Sequence, residues 1–434
     1  MEQKDLSLRF DLEPSSCQSF CTAKVTIPSH ISDKAYQEAI LAQKESARAI
    51  GFNKRNVPIE YIRQNFEVNI NSHLEEFLFK YFTLNFLLKE LKNQKINIAG
   101  DPRIKEISVQ PGEDAIFTFD VSLFPKIEFQ NWKYYPFKAP KRKNYKDLDR
   151  QVETFMKLES RQKKENTKDE VDIQDWVSFD IWVVDEDNKP IFSDFKENLI
   201  IKIGDEEADR EFQKLFIGKK IDDLFYARDD GLQEYFGNQI GSNYKFGVKI
   251  NNIVNNEFFC FEKFKRQFRL KTKKEIARRL IEVFSYRNDL SQRQAMVEEA
   301  FNLMFKKYTF DVPNHLILRQ QQKLLYELRK NPDYHVYKNQ KKFDDHINKL
   351  ANKQIKELIL IDQLANKENI VATDEDVCCF LNLTNRPRMK DFIYFKMPET
   401  KVDGQETPIS AELIRQQALR EKTLNYIIYH FTRK

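Results

Sequence analysis

The sequence predicts a multidomain α+β protein: a mixed α+β first part, a small antiparallel-sheet unit in the middle and a nearly all-α last part. Three observations carry this. The chain has 434 residues, too many for one hydrophobic core. All but one of its ten glycines lie at or before Gly247, and all three tryptophans fall between residues 132 and 182, so the composition shifts near residue 255. The apolar period shifts with it, from strand-like alternation to three-to-four spacing.

The elements follow in order. "CTAKVTIP" alternates as a strand, and Ser32 or Asp33 is placed to cap a helix carrying Tyr36, Ala39, Ile40 and Ala47. Gly51 and Pro58 bracket a loop tip, "IGFNKRNVP" at 50–58, because glycine turns where other residues strain and proline halts a helix running in from residue 33. "PIEYIRQNF" opens a helix on its proline, and residues 69–92 give a longer apolar helix. "AIFTFDVSLF" at 115–124 is a strand introduced by the Pro111-Gly112 turn. This unit ends near residue 130. A linker with Pro136 and Pro140 leads to a helix threaded by Leu148, Val152, Phe155 and Leu158; its "KAPKRK" run reads as a solvated tether or a phosphate contact.

From Asp175 to Val254, "WVSFDIWVV", "NLIIKI", "DLFYA" and "KFGVKINNIV" form strands around one helix, "DREFQKLF". Gly237, Gly241 and Gly247 read as hairpin turns, since no Gly-Lys-Ser/Thr follows them. Beyond Phe258, one long helix carries Ile276, Leu280, Val283, Leu290, Val297, Phe301, Met304 and Tyr308 as one stripe, interrupted only where the polar Arg287 and Gln294 fall on the same phase, and Pro313 ends it. Helices over 315–329, 338–366 and 410–431 follow, with a looser region around Pro387, Pro398, Gly404 and Pro408. Long helices with short breaks predict open arms. The chain therefore divides at 1–130, 131–170, 171–256 and 257–434.

Composition limits function. With 32% charged and 41% hydrophobic residues the chain buries cores and is not disordered by default. A net charge of +5 on 72 basic and 67 acidic groups argues for local basic patches and against a wholly basic nucleic-acid binder. "MEQKDLSLRF" is neither secretory signal nor transit peptide, so a cytoplasmic protein is expected. "FLFKYFTLNFLLKEL" at 77–91 is broken by Lys80, Thr83 and Asn85, so no membrane span is expected. Five cysteines suit reduced thiols, and Cys17/Cys21 and Cys378/Cys379 have no histidine at zinc-like spacing, so no metal is expected.

The histidines, at 30, 73, 315, 335, 346 and 430, are scattered, no Gly-x-Ser-x-Gly elbow exists, and the acidic runs at 184–187 and 205–207 fall in turns. Neither nucleophilic nor acid-base chemistry is indicated, and no cofactor. There remain 36 phenylalanines and 17 tyrosines, whose non-core fraction would line concave surfaces that bind other proteins. Phe52, between cations at a loop tip, has two readings: a contact for an anionic, partly apolar partner, or a ring folded back onto its own domain.

These residues resemble, in order, the trigger factor family of ribosome-associated bacterial chaperones. Gly51, Phe52, Lys54, Val57 and Pro58 match its docking pattern Gly-Phe-Arg-x-Gly-x-x-Pro, with Asn53 in place of the arginine and Arg55 in place of the second glycine. "INIAGDP" at 96–102, "PGEDAIFTFDVSLFPKIEF" at 111–129 and "FDVPNHLI" at 310–317 are similar to further family phrases. The resemblance implies an α+β ribosome-binding domain at 1–130, an FKBP-like prolyl isomerase domain at 171–256 and helical chaperone arms at 257–434. It implies docking through Gly51, Phe52, Asn53, Lys54, Arg55 and Pro58 on the large ribosomal subunit near the tunnel exit, binding of nascent or unfolded chains without ATP, and a homodimer off the ribosome.

It also implies an aromatic isomerase pocket at Phe192, Phe212, Tyr235 and Phe246, with Ala208-Asp209-Arg210-Glu211 in place of the family's apolar approach. Rotation about an X-Pro bond faces a barrier near 20 kcal/mol, and a dry aromatic pocket favours the twisted form without acid, base or nucleophile. Charges in that wall would wet it, so reduced isomerase activity is expected. The alternatives are an enzyme whose main activity is prolyl isomerisation, and, more weakly, a nucleic-acid binder using Lys54, Arg55 and the 138–146 run.

Overall fold

A computed structural model describes the chain apart from residues 1–7, 15–19, 54, 95, 97, 101, 126, 141–146, 163–169, 193–195, 207–209, 230–231, 234–243, 257–258, 288–289, 403 and 434. For 161–162, 210–212, 287 and 402 it describes the backbone. The first sheet is antiparallel, in the order β1 (Arg9–Pro14), β2 (Phe20–Ile27), β4 (Ala115–Ser122), β3 (Arg103–Ser108). Alternation sets its buried face: Ala115, Phe117, Phe119 and Val121 point inward.

Helices α1 (Ser29–Ser46), α2 (Ile59–Asn65), α3 (Glu67–Leu78) and α4 (Leu84–Asn93) accompany this sheet. The cap of α1 is Pro28, not Ser32 or Asp33. Those two side chains hold the neighbouring turn instead: Ser32 Oγ donates to the Glu113 carbonyl at 3.1 Å, and Asp33 accepts the Gly112 N–H at 2.7 Å. Between α3 and α4, Phe79–Thr83 is a π-helical turn whose Thr83 hydroxyl donates to the Leu78 carbonyl at 3.1 Å. The wider turn shifts the phase of the rod. Phe79 faces the first sheet, 6.3 Å from both Phe117 and Phe119, while Phe77, Tyr81 and Phe82 face the second.

The linker helix α5 (Leu148–Gln162) buries Leu148 and Val152 but leaves Leu158 exposed. The second sheet contains β5 (Trp176–Val184), β6 (Glu197–Lys202), β7 (Leu224–Ala227) and β8 (Lys245–Val254), with α6 (Arg210–Phe216) beside it. All pairs are antiparallel, and a fifth strand, Ile409–Ser410, pairs with β6 at one edge. Gly247 is not in a turn. It lies within β8 opposite Trp182 and Tyr226, where an added Cβ would meet the Trp182 indole at 2.5 Å. Gly237 and Gly241 lie outside the described residues.

The last part contains α7 (Phe261–Gln267), α8 (Lys273–Phe284), α9 (Gln292–Lys307), α10 (Asn314–Arg329), α11 (Tyr334–Lys338), α12 (Phe343–Lys367), α13 (Asp374–Thr384) and α14 (Ala411–Thr432). The single long helix expected over 276–308 is two, α8 and α9, parted by a tight hairpin of Tyr286–Arg287 against Leu290–Ser291. Arg287, a polar residue on the phase of the apolar stripe, marks that break, and a reciprocal cap between Ser291 and Gln294 restarts the helix. The looser region holds α13, started by the same device at Thr373 and Asp376. Helices α9, α12 and α14 close a core with Phe129, Trp132 and Phe137 of the connecting segment. Helix α10 instead pairs with the first half of α12 through Leu324, Ile347 and Ala351.

Candidate functional site

The 50–58 loop is built from two successive turns. The Phe52 N–H donates to the Ala49 carbonyl at 3.2 Å and the Asn56 N–H to the Asn53 carbonyl at 3.0 Å. In each turn the third residue takes positive φ: Gly51 at +89° and Arg55 at +73°. Such a position favours glycine, so Arg55 holds a glycine-type conformation with a charged side chain. Ala47 and Val57, both buried, anchor the loop at its two ends. Between them Ile50, Gly51, Phe52, Asn53, Arg55 and Asn56 are exposed. The Phe52 ring leans on Tyr61 at 5.3 Å and remains 40% exposed, so it is a supported apolar tip and not a core residue. Pro58 stands at the N-cap of α2, and Lys54 lies outside the described residues.

The expected isomerase pocket lies at the end of the second sheet facing α3. Phe246 on β8 pairs with Val183 on β5, whose carbonyl accepts the Ile191 N–H at 3.0 Å, so Phe192 and Phe246 come to the same end of the sheet. Both are buried. What buries Phe192 is the chain's own rod: Phe77, Tyr81 and Phe82 place their rings 6.0, 5.9 and 5.2 Å from it. Phe77 also lies 5.4 Å from Tyr244, and Tyr244 lies 6.4 Å from Phe246.

Polar bonds fix the rod in place. The His73 Nε2 and the Tyr244 hydroxyl are 2.8 Å apart, and the Tyr81 hydroxyl accepts the Val183 N–H at 3.4 Å. Burial pushes the Tyr81 and Tyr244 hydroxyls far above the usual tyrosine range, so both stay neutral. Asn85 on α4 donates to the buried Glu197 of β6 and accepts from Ser410 Oγ at 3.0 Å, tying rod, sheet and added strand together. The Phe212 backbone lies in α6; its side chain and Tyr235 lie outside the described residues, as do Ala208 and Asp209.

Sequence reasoning missed His73, Phe77, Tyr81, Phe82 and Tyr244 as the cover of this pocket. One signal pointed there: Phe77, Phe79, Tyr81 and Phe82 set aromatic rings on more than one face of the 77–91 stretch, and a helix apolar on more than one face meets more than one partner. His315, at the start of α10, bridges to the first sheet, its Nε2 lying 2.7 Å from Ser122 Oγ. The third surface is the arm of α10 to α12. Leu318, Tyr326, Val336, Tyr337 and Leu350 stand exposed along it.

Among the described residues no helix is long and apolar enough to cross a membrane, and no cluster of metal-ligating side chains occurs. Cys21, Cys260, Cys378 and Cys379 are free thiols.

Comparison with known proteins identifies relatives of this chain. The model of the bacterial trigger factor protein matches residues 13–155, and that of the trigger factor C-terminus matches residues 262–384. Trigger factor of Rickettsia canadensis (strain McKiel) is 22% identical over 413 residues, covering 93% of this chain and 90% of that one. Trigger factor of Rickettsia prowazekii (strain Madrid E) is 23% identical over 418 residues, with 93% and 90% covered. A solved structure of the trigger factor chaperone, from work on its promiscuous substrate recognition in folding and assembly, covers 97% of this chain and 99% of its own at 15% identity, with a TM-score of 0.36. With both terminal regions matched by the models of one family, and relatives of that family aligned across nine-tenths of the chain, the protein belongs to the trigger factor family as a divergent member.

Proposed function

We propose that this chain is an ATP-independent, ribosome-associated chaperone that docks near the tunnel exit of the large subunit and shelters nascent or unfolded segments in the cytoplasm. It forms a homodimer off the ribosome. In this reading residues 1–130 dock, 131–170 connect, 171–256 form the FKBP-like unit and 257–434 carry the chaperone body and arm. The observation that carries it is the α10 to α12 arm, where Leu318 and Tyr326 are 58% and 59% exposed and Val336 is 65% exposed. Apolar side chains lined along one exposed arm suit weak, promiscuous contact with unfolded chains.

The test is suppression of aggregation of a refolding client, followed by light scattering. Leu318→Ser, Tyr326→Ser, Val336→Ser together should reduce suppression severalfold while co-sedimentation with ribosomes is retained. Undiminished suppression would move the client site off the arm. The exposed Phe52 tip supports the docking assignment. Replacing Phe52 and Arg55 by alanine should abolish co-sedimentation and leave suppression by the free chain intact; unchanged pelleting would sink this assignment.

The sheet unit serves in this proposal as a holder for the rod and not as an isomerase, because Phe77, Tyr81 and Phe82 pack their rings against Phe192 and bury it. The full chain should therefore isomerise short X-Pro peptides at the uncatalysed rate. Catalysis that disappears on Phe246→Ala substitution would restore the isomerase reading.

A further inference from the structure

A cavity of about 370 Å³ lies where the α7–α8 connection meets α9 and α14, far in sequence from both the docking loop and the aromatic pocket. Its floor is Arg293, only 1% exposed. One guanidinium nitrogen of Arg293 donates to Asn425 Oδ1, while Nε and Nη1 have no hydrogen-bond partner. Glu282 stands 4.0 Å from Nη1, beyond hydrogen-bond reach, and it already accepts two bonds from Arg279 at 2.7 and 3.0 Å. The other nearby carboxyl, Glu421, turns one oxygen to the backbone N–H groups of Tyr394 and Phe395, and its second oxygen has no hydrogen-bond partner, so it faces Arg293 through charge alone.

A buried guanidinium with two idle donors is costly unless an anion reaches it. Burial lowers its pKa to about 10, so it keeps its charge at neutral pH.

At the mouth stands Arg269, its guanidinium 4.8 Å above the Tyr426 ring and 5.1 Å above the Tyr429 ring, with no carboxylate partner among the described residues. The remaining wall cations are paired: Arg266 with Glu375 and Lys422 with Asp376, each at 2.7 Å. Arg266, Arg269, Arg279, Arg293 and Lys422 against Glu282, Glu375, Asp376 and Glu421 leave an excess of positive charge, with Arg269 the wall cation that has no carboxylate partner among the described residues. The idle donors of Arg293 and the N–H fork of Arg269 match the several oxygens of a tetrahedral anion, and the volume exceeds what a monatomic ion fills.

We infer that this cavity binds a phosphate-class anion, inorganic phosphate or a phosphate monoester, between Arg293 at its floor and Arg269 at its mouth. This goes beyond chaperone action and does not depend on it.

The experiment is isothermal titration and thermal denaturation of the full chain with inorganic phosphate, and in a second arm with adenosine monophosphate, against chloride at matched ionic strength. Saturable heat and a saturable rise in Tm are expected. Adenosine monophosphate binding more tightly than phosphate would identify a monoester as the ligand; equal or weaker binding would identify the free anion. Arg269→Asn is the key variant, since asparagine suits the left-handed backbone at that position, φ +53°, and the fold should be retained. It should weaken phosphate binding by at least about tenfold, and Arg293→Gln should abolish it. If Arg293→Gln does not fold, Arg269→Asn decides alone. No saturation, or a response to phosphate equal in the wild type and Arg269→Asn, would reduce the effect to that of a general stabilising salt and overturn the site.

Discussion

Arg55 shows what divergence does at one residue. The loop keeps positive φ where its relatives' pattern has glycine, although an L side chain costs about 1–2 kcal/mol in that conformation. The turn thus holds a glycine-type conformation while carrying a cation in the loop of Phe52. Arg55→Gly should raise stability by up to about 1 kcal/mol, read from the urea midpoint, and weaken ribosome co-sedimentation, read separately. A second residue makes stability depend on pH. Burial pushes the Glu421 carboxyl up to about 7, against the backbone N–H bonds from Phe395 and Tyr394 and the charge of Arg293, which oppose the shift. Its folded pKa lies above its unfolded one, so the folded state holds the proton more tightly. Its contribution is full below about pH 4.5 and is lost as pH rises through about 7, at most about 3 kcal/mol. The urea midpoint should fall between about pH 5 and about pH 8, and Glu421→Gln should flatten that slope. A midpoint independent of pH would exclude this carboxyl as the cause.

At the scale of elements, the positions of β2 and of β4 to β8 were legible because alternation is local: the buried face of β4 and the lengths of β5 and β8 follow from residues two apart, whereas β1, β3 and the Ile409–Ser410 strand were missed. The longer helices were legible for the same reason, but α11, α13 and helix continuity were not. The apolar stripe through Leu280 and Val297 passes across a hairpin, because both helices bury their stripes although the chain reverses between them. Ser291 with Gln294, and Thr373 with Asp376, were the missed start signals. Gly247 misled differently. Glycine marks a turn or a close approach, and only the partner strand reveals that Trp182 lies over it. Gly247→Ala should therefore cost about 1–3 kcal/mol, read from the urea midpoint, since its Cβ would press on the indole and not on a flexible chain end. An unchanged midpoint would mean that Trp182 swings aside freely.

At the scale of the molecule, Gly51 and Pro58 made the loop tip readable, but whether Phe52 points outward, which residues the arm exposes and how the pocket is closed were not. The pocket's cover, Tyr244 apart, comes from residues more than a hundred positions earlier in the chain than Phe192, and no periodicity encodes which sheet a helix face will meet. Leu74 and Phe82 belong to the same buried core as Phe119 of the first sheet and Val248 of the second. Two units that share a core in this way cannot unfold independently, because separating them exposes the apolar rod between them. Calorimetry should show both sheets melting in one transition. Phe77→Ala removes the ring that touches Phe192 and Tyr244 at once, with an expected cost of about 3–5 kcal/mol if the site cannot collapse. The loss falls on the seam and spares the interior of each sheet, so this variant should split the single transition into two, the Trp182 fluorescence of the second sheet reporting one of them. Two transitions in the unsubstituted chain would mean that the rod belongs to the first sheet alone, and the face of Phe192 would then open to substrate.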